Sequence, residues 1–161
     1  MKRLWAPWRR PVLAAASSKK KSSSCLFCEK GKSAADARNL VIARGRHCYA
    51  ILNLYPYNNG HTMIAPYRHV GDLEALNQEE WLDLWRLSGK IIRRMKKVFS
   101  PDGFNAGVNL GRAAGAGIPK HLHLHIVPRW VGDTNFMPIL AGTRVISQSL
   151  ESARQALGGR G

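Results

Sequence analysis

Apolar and polar residues alternate most clearly at His121-Leu122-His123-Leu124-His125-Ile126-Val127. In an extended strand, successive side chains point to opposite faces. Three imidazoles therefore share one face. Leu122, Leu124 and Ile126 share the other and can enter a core. Upstream, His47 to Leu54 reads as a strand and His61 to Ala65 as its antiparallel return. Tyr55-Pro56-Tyr57-Asn58-Asn59-Gly60 between them is turn chemistry. Phe104 to Leu110 reads as a further strand.

From Gln78 to Phe99 the period changes. Trp81, Leu84, Trp85, Ser88, Ile91, Ile92, Met95, Val98 and Phe99 recur at three- and four-residue spacing, which predicts a long amphipathic helix. Its tryptophans read as core or dimer-contact residues. Asn77 with Glu80 resembles a capping box, and Ser100-Pro101-Asp102-Gly103 stops the helix. Val145 to Leu157 holds a shorter helix. The prediction is an α+β fold, a mainly antiparallel sheet with one long and one shorter helix.

Residues 1–24 read as a basic arm and flexible linker, with the domain occupying 25–161. Trp5 and Trp8 could dock on the body or a second subunit, and Ser17 to Ser24 reads as solvated linker. Residues 1–46 hold twelve Lys/Arg against two Asp/Glu, which favours anionic partners. No DNA- or RNA-reading motif accompanies the charge, so nucleic acid is not the expected partner. No apolar run approaches the ~20 residues of a membrane span. Val12 to Ala16 is too short for a signal-peptide core. The expected location is cytoplasmic.

Imidazole titrates near neutral pH and serves as nucleophile, proton carrier or metal ligand. Three on one strand face indicate a functional cluster. Spacing alone does not separate a catalytic strand from a zinc-binding one. Gly111 to Gly117 is a small-residue loop leading to His121. Its exposed amides, Gly117 included, can hold phosphate oxygens. Cys25-Leu26-Phe27-Cys28 is a CxxC, in isolation a zinc site, a redox pair or coincidence. Nothing before Cys25 reads as the strand a redox pair would want. Cys48 reads as a buried strand residue.

His-x-His-x-His followed by two apolar residues resembles the signature of the histidine-triad (HIT) superfamily of nucleotide hydrolases and transferases. Asn53 to Leu73 looks like that family's upstream block, and Gly107 to Gly111 like its middle block. Leu4 to Arg10, Trp130 and Gly132 to Phe136 look more specifically like a bacterial branch that includes diadenosine tetraphosphate phosphorylases. The resemblance implies a homodimer. It also implies cleavage of a nucleotide phosphoanhydride through a nucleotidyl-histidine. Phosphorolysis of diadenosine tetraphosphate by inorganic phosphate is the leading reaction. Hydrolysis of dinucleoside polyphosphates, hydrolysis of nucleoside phosphoramidates and a non-catalytic nucleotide-binding module are the alternatives.

By resemblance, His123 is the nucleophile. His125 contacts the scissile phosphate and helps protonate the leaving group, and His61 supports the site. Asn53 and Asn109 map to ribose and phosphate contacts, with Gly117 and Trp130 as further substrate positions. Phe27 and Ile51 are expected walls of the base pocket. Cys25, Cys28, His69 and His121 match a structural zinc site. Ala116-Gly117-Ile118 departs from the family pattern, which places a glutamine or a serine there. The departure bears on the acceptor, water or phosphate.

Overall fold

The computed structural model describes residues 24–133 and 146–158. The basic arm, apart from Ser24, and most of Gly132 to Phe136 lie outside them. Helix α1 spans Leu26–Lys32 and a single turn, α2, Asp36–Asn39. Strands follow at β1 (Val41–Arg44), β2 (Cys48–Leu52) and β3 (Thr62–Pro66). The long helix α3 is Gln78–Phe99, then come β4 (Gly103–Val108), β5 (Leu124–Arg129) and α4 (Leu150–Gly158). The five strands form one antiparallel sheet in the order β1-β2-β3-β5-β4. The predicted α+β class is therefore observed. Among the described residues, no helix is long and apolar enough to cross a membrane.

The α3 boundaries coincide with the predicted ones because both ends are set locally. The Asn77 side chain accepts the Glu80 N–H at 2.8 Å, and the Glu80 carboxylate accepts the Asn77 N–H at 3.0 Å. Arg68 donates to the same carboxylate, and this ion pair holds the Glu80 pKa below the usual range. Leu84, Leu87, Ile91 and Met95 pack on one sheet face against Cys48, Ala50, Leu52, Ile64, Leu124 and Ile126. Each such side chain, fully buried, contributes about 1.5–3 kcal/mol before entropic costs. Burial raises the Cys48 thiol to about 12, so this cysteine is inert core. Trp81 packs partly against the core, whereas Trp85 is exposed.

Two expectations are corrected. Strand pairing starts at Leu124 and not at His121, because the preceding N–H groups are bonded outside the ladder. His121 donates to Ile118 O and Leu122 to Val70 O. The alternation nevertheless persists, with Leu122 in the core. β1 has no counterpart among the predicted elements. Four residues after Leu40, which closes α2 in the left-handed region, carry no readable period.

The opposite sheet face carries a smaller cluster of Phe27, Val41, Tyr49, Ile51, Met63 and Ala65. Register decides what joins it. Ile51 pairs with Met63, Met63 with His125, and His125 with Gly107. Directly opposed residues share a face, so His125 stands on the side away from α3.

Replacing Asn77 with Ala removes the cap acceptor. Chemical denaturation should show a loss of about 1 kcal/mol with an unchanged denaturant slope.

Candidate active site and metal centre

The triad histidines lie in one line, and each contacts a different partner. His121 is fully buried. Its Nε2 lies 2.9 Å from Pro66 O. A carbonyl only accepts, so Nε2 carries the proton and Nδ1 presents its lone pair. That lone pair faces Cys25 Sγ at 3.3 Å and Cys28 Sγ at 3.5 Å. His69 Nδ1 completes the group, 3.3 Å from Cys28 Sγ. All four donor atoms lie within 4.8 Å of one another. This Cys2His2 set is positioned to hold a metal ion, with one imidazole already oriented by a backbone carbonyl.

Arg44 fixes the helix that bears Cys28. Its guanidinium donates to Gly31 O at 2.7 Å and Ser33 O at 2.6 Å, at the C-terminal end of α1. It also pairs with Asp36 at 2.6 Å. A cation there satisfies carbonyls that a helix end leaves without intrahelical partners.

His123 is 6% exposed, and its Nδ1 lies 2.7 Å from His121 O. By the same logic Nδ1 holds the proton, and Nε2 carries a lone pair. Burial lowers its pKa, which keeps the ring neutral. Phe27 packs on both His121 and His123, with ring centroids 5.1 and 4.8 Å away.

His125 is set from the other direction. The Tyr57 N–H donates to His61 Nδ1 at 3.0 Å. A neutral His61 then has its proton on Nε2, which lies 2.9 Å from His125 Nδ1. His125 Nδ1 must accept, so its own proton sits on Nε2. That buried Nε2 has no hydrogen-bond partner among the described residues. A buried donor without a partner costs about 1–3 kcal/mol, and a ligand oxygen would recover that cost. The line thus offers a lone pair on His123 Nε2 beside an N–H on His125, the pairing a nucleophile and a leaving group require.

The HIT domain family model matches residues 34–131. The chain belongs to the HIT domain family. A Mycobacterium tuberculosis protein named AP-4-A phosphorylase is 46% identical across 98% of this chain and 83% of its own. A Schizosaccharomyces pombe protein named bis(5'-nucleosyl)-tetraphosphatase [asymmetrical] is 37% identical across 58% of this chain and 50% of its own. A solved structure described as a Zn-bound histidine triad family protein from Mycobacterium smegmatis superposes with a TM-score of 0.67. It is 28% identical, across 86% of this chain and 93% of its own.

The HIT sheet brings most of the sequence candidates to one face. Asn53 accepts the Tyr55 N–H on Oδ1 and turns its NH2 toward His61 Nδ1, 3.4 Å away. Asn109 lies one residue beyond β4, at the strand end that pairs with Leu124. Gly117 is exposed, and a Cβ there would meet nothing within 4 Å. Phe27 and Ile51 are 2% exposed each and share one apolar cluster on this face, with Phe27 against the His121 and His123 rings. Trp130 is not brought to the triad. It follows the far end of β5, where its indole N–H donates to Phe99 O at 3.2 Å. Sequence reasoning does not single out Arg44 or Tyr57. A lone Arg on a short strand and an aromatic in a turn carry no readable spacing.

Burial, then the neighbouring His123, push the His125 pKa down to about 4. In an unfolded chain it would titrate near ~6.5. The unfolded state therefore binds more protons between these values, and unfolding free energy rises with pH across that window. Denaturation from about pH 4 to about pH 7 should show the rise, and His125→Asn should reduce it. An equal slope in both proteins would refute this assignment.

Proposed function

We propose that this chain cleaves the phosphoanhydride of dinucleoside polyphosphates, diadenosine tetraphosphate foremost, in two displacements at phosphorus. The observation that carries the reading is the spacing along the histidines: His61 Nε2 lies 2.9 Å from His125 Nδ1, His123 Nδ1 lies 2.7 Å from His121 O, and the buried His125 Nε2 has no hydrogen-bond partner among the described residues. His123 Nε2 attacks the α-phosphorus. The P–O bond to the bridging oxygen breaks, and its electron pair leaves with the departing nucleotide. The His125 Nε2–H donates to that oxygen, and His61 keeps the His125 ring in the donating tautomer. A positioned donor of this kind contributes typically ~10²–10⁴-fold. An acceptor oxygen then attacks the nucleotidyl-His123 and releases the histidine. In this reading Asn53, whose side chain reaches His61, and Asn109, just past the β4 end that pairs with Leu124, are the ribose and phosphate contacts.

Inorganic phosphate is the acceptor this reading favours. Support comes from the name of the mycobacterial relative, 46% identical across nearly the whole chain. Backbone amides of the Gly111–Gly117 loop, other than those of Gly115 and Ala116, which donate to Arg112 O and Gly111 O, can bind phosphate without a side-chain hydroxyl. Hydrolysis is the second reading. It is favoured by Ala116-Gly117, which has no hydroxyl to hold an anionic acceptor.

Zinc is the metal we assign to Cys25, Cys28, His69 and His121. Sulfur at ~2.3 Å and nitrogen at ~2.0 Å from one tetrahedral zinc lie about 3.5 Å apart. The observed sulfur–nitrogen separations of 3.3 to 3.5 Å match that edge. Four protein ligands close the site, so its role is structural. Thiolate ligands suit a reducing compartment, in keeping with a cytoplasmic location. β4 is an outer strand with Asn105, Ala106 and Gly107 exposed, and a homodimer would cover such an edge.

Product analysis with diadenosine tetraphosphate tests the reaction. ADP and ATP formed only with added phosphate are expected, whereas AMP and ATP would mean hydrolysis. His123→Gly should abolish turnover in folded protein and lose the labelled covalent adduct that wild type traps. Wild-type turnover in that variant would remove His123 from the nucleophile role.

Metal analysis of protein purified without added zinc should find about one ion per chain. Cys28→Ser should lose the metal and unfold at lower temperature. Metal-free wild type, with Cys28→Ser equally stable, would make the CxxC incidental.

A further inference from the structure

Three large apolar side chains stand exposed within four positions beside the triad. Leu54 is 57% exposed, Tyr55 71% and Tyr57 48%. Single exposed apolar residues are ordinary, but a contiguous group marks a contact surface. The segment is firmly held. Asn53 donates its N–H to His61 O, Tyr55 its N–H to Asn53 Oδ1, and His61 its N–H to Asn58 O. Asn58 Nδ2 donates to Pro128 O and to Asp133, and Asn59 Nδ2 to Gln148. A pinned loop thus presents rings that folding could otherwise have buried.

Its position relates the patch to the chemistry. The Tyr57 ring lies 4.5 Å from the His61 ring and 5.9 Å from His125, the latter nearly parallel at 18°. In the reaction proposed above, His125 donates to the bridging oxygen, so the triphosphate of the departing nucleotide begins there and its ribose and base lie farther out. Tyr55 lies within about 7 Å of Tyr57, two residues along the chain.

We infer that Tyr55 and Tyr57, with Leu54, form a stacking surface for the base of the departing nucleotide, a purine in the diadenosine substrate. The inference rests on the reaction proposed above. Flat aromatic side chains accept any base on their faces and add affinity without hydrogen-bond readout. The surface would therefore favour a nucleoside on the leaving side without selecting strongly which one.

The test compares two adenylyl donors, diadenosine tetraphosphate and adenosine 5'-phosphorofluoridate, whose fluoride leaving group carries no base. Tyr55→Ala should lower the ratio of kcat/KM for the dinucleotide to that for the fluoridate about tenfold. Tyr55→Trp should keep the wild-type ratio. An unchanged ratio in Tyr55→Ala overturns the inference. If that unchanged ratio comes with a shift in oligomeric state by light scattering, the patch is an interface between copies of the chain. Wild-type protein that turns over neither donor refutes the reaction itself, an outcome separable from a failed ratio.

Discussion

The arrangement depends on the two-residue period of Leu122 to Ile126. Leu122, Leu124 and Ile126 are buried in the core that the sheet shares with α3. Their burial fixes which way the intervening residues point. A slip of one residue would put imidazoles into that core and leucines onto the open face. The ladder extends the same choice across the sheet, aligning Ile51, Met63, His125 and Gly107 on the side opposite α3.

Backbone groups then decide what each histidine can do. Carbonyl oxygens at Pro66 and His121 take the protons of His121 Nε2 and His123 Nδ1. An amide N–H at Tyr57 takes the opposite part at His61 and, through it, settles His125. Neighbouring rings along one extended run thus present opposite hydrogen-bonding character. The Cys2His2 group and the His61 relay approach from the two ends and meet at His123. Phe27, inside the CxxC, transmits the packing of the first end to that ring.

Features governed by neighbours along the chain are legible in the amino-acid sequence. The α3 helix begins and ends where the Asn77–Glu80 box and the Ser100-Pro101 break put it. The triad's shared face follows from its alternation, and His61 and the metal quartet from resemblance to HIT sequences. Features governed by distant partners are not legible in this way. Arg44 gains its meaning only when α1 and α2 bring Gly31, Ser33 and Asp36 around it. Asp83 accepts the N–H groups of His47 and Cys48, an anchor between α3 and β2 that no local pattern announces. Tyr57 reads as turn chemistry, although its N–H orients a histidine and its ring covers two. For Trp130 the resemblance suggests a substrate contact, whereas its indole N–H is used at the end of α3.

The triad's chemistry stands on proton positions, and imidazole ¹⁵N chemical shifts report these directly. In the free protein near neutral pH, they should show His123 protonated at Nδ1, and His61 and His125 protonated at Nε2. A His125 found with its proton on Nδ1, or a His123 with its proton on Nε2, would leave the triad without the paired lone pair and donor, and would contradict the proposed chemistry.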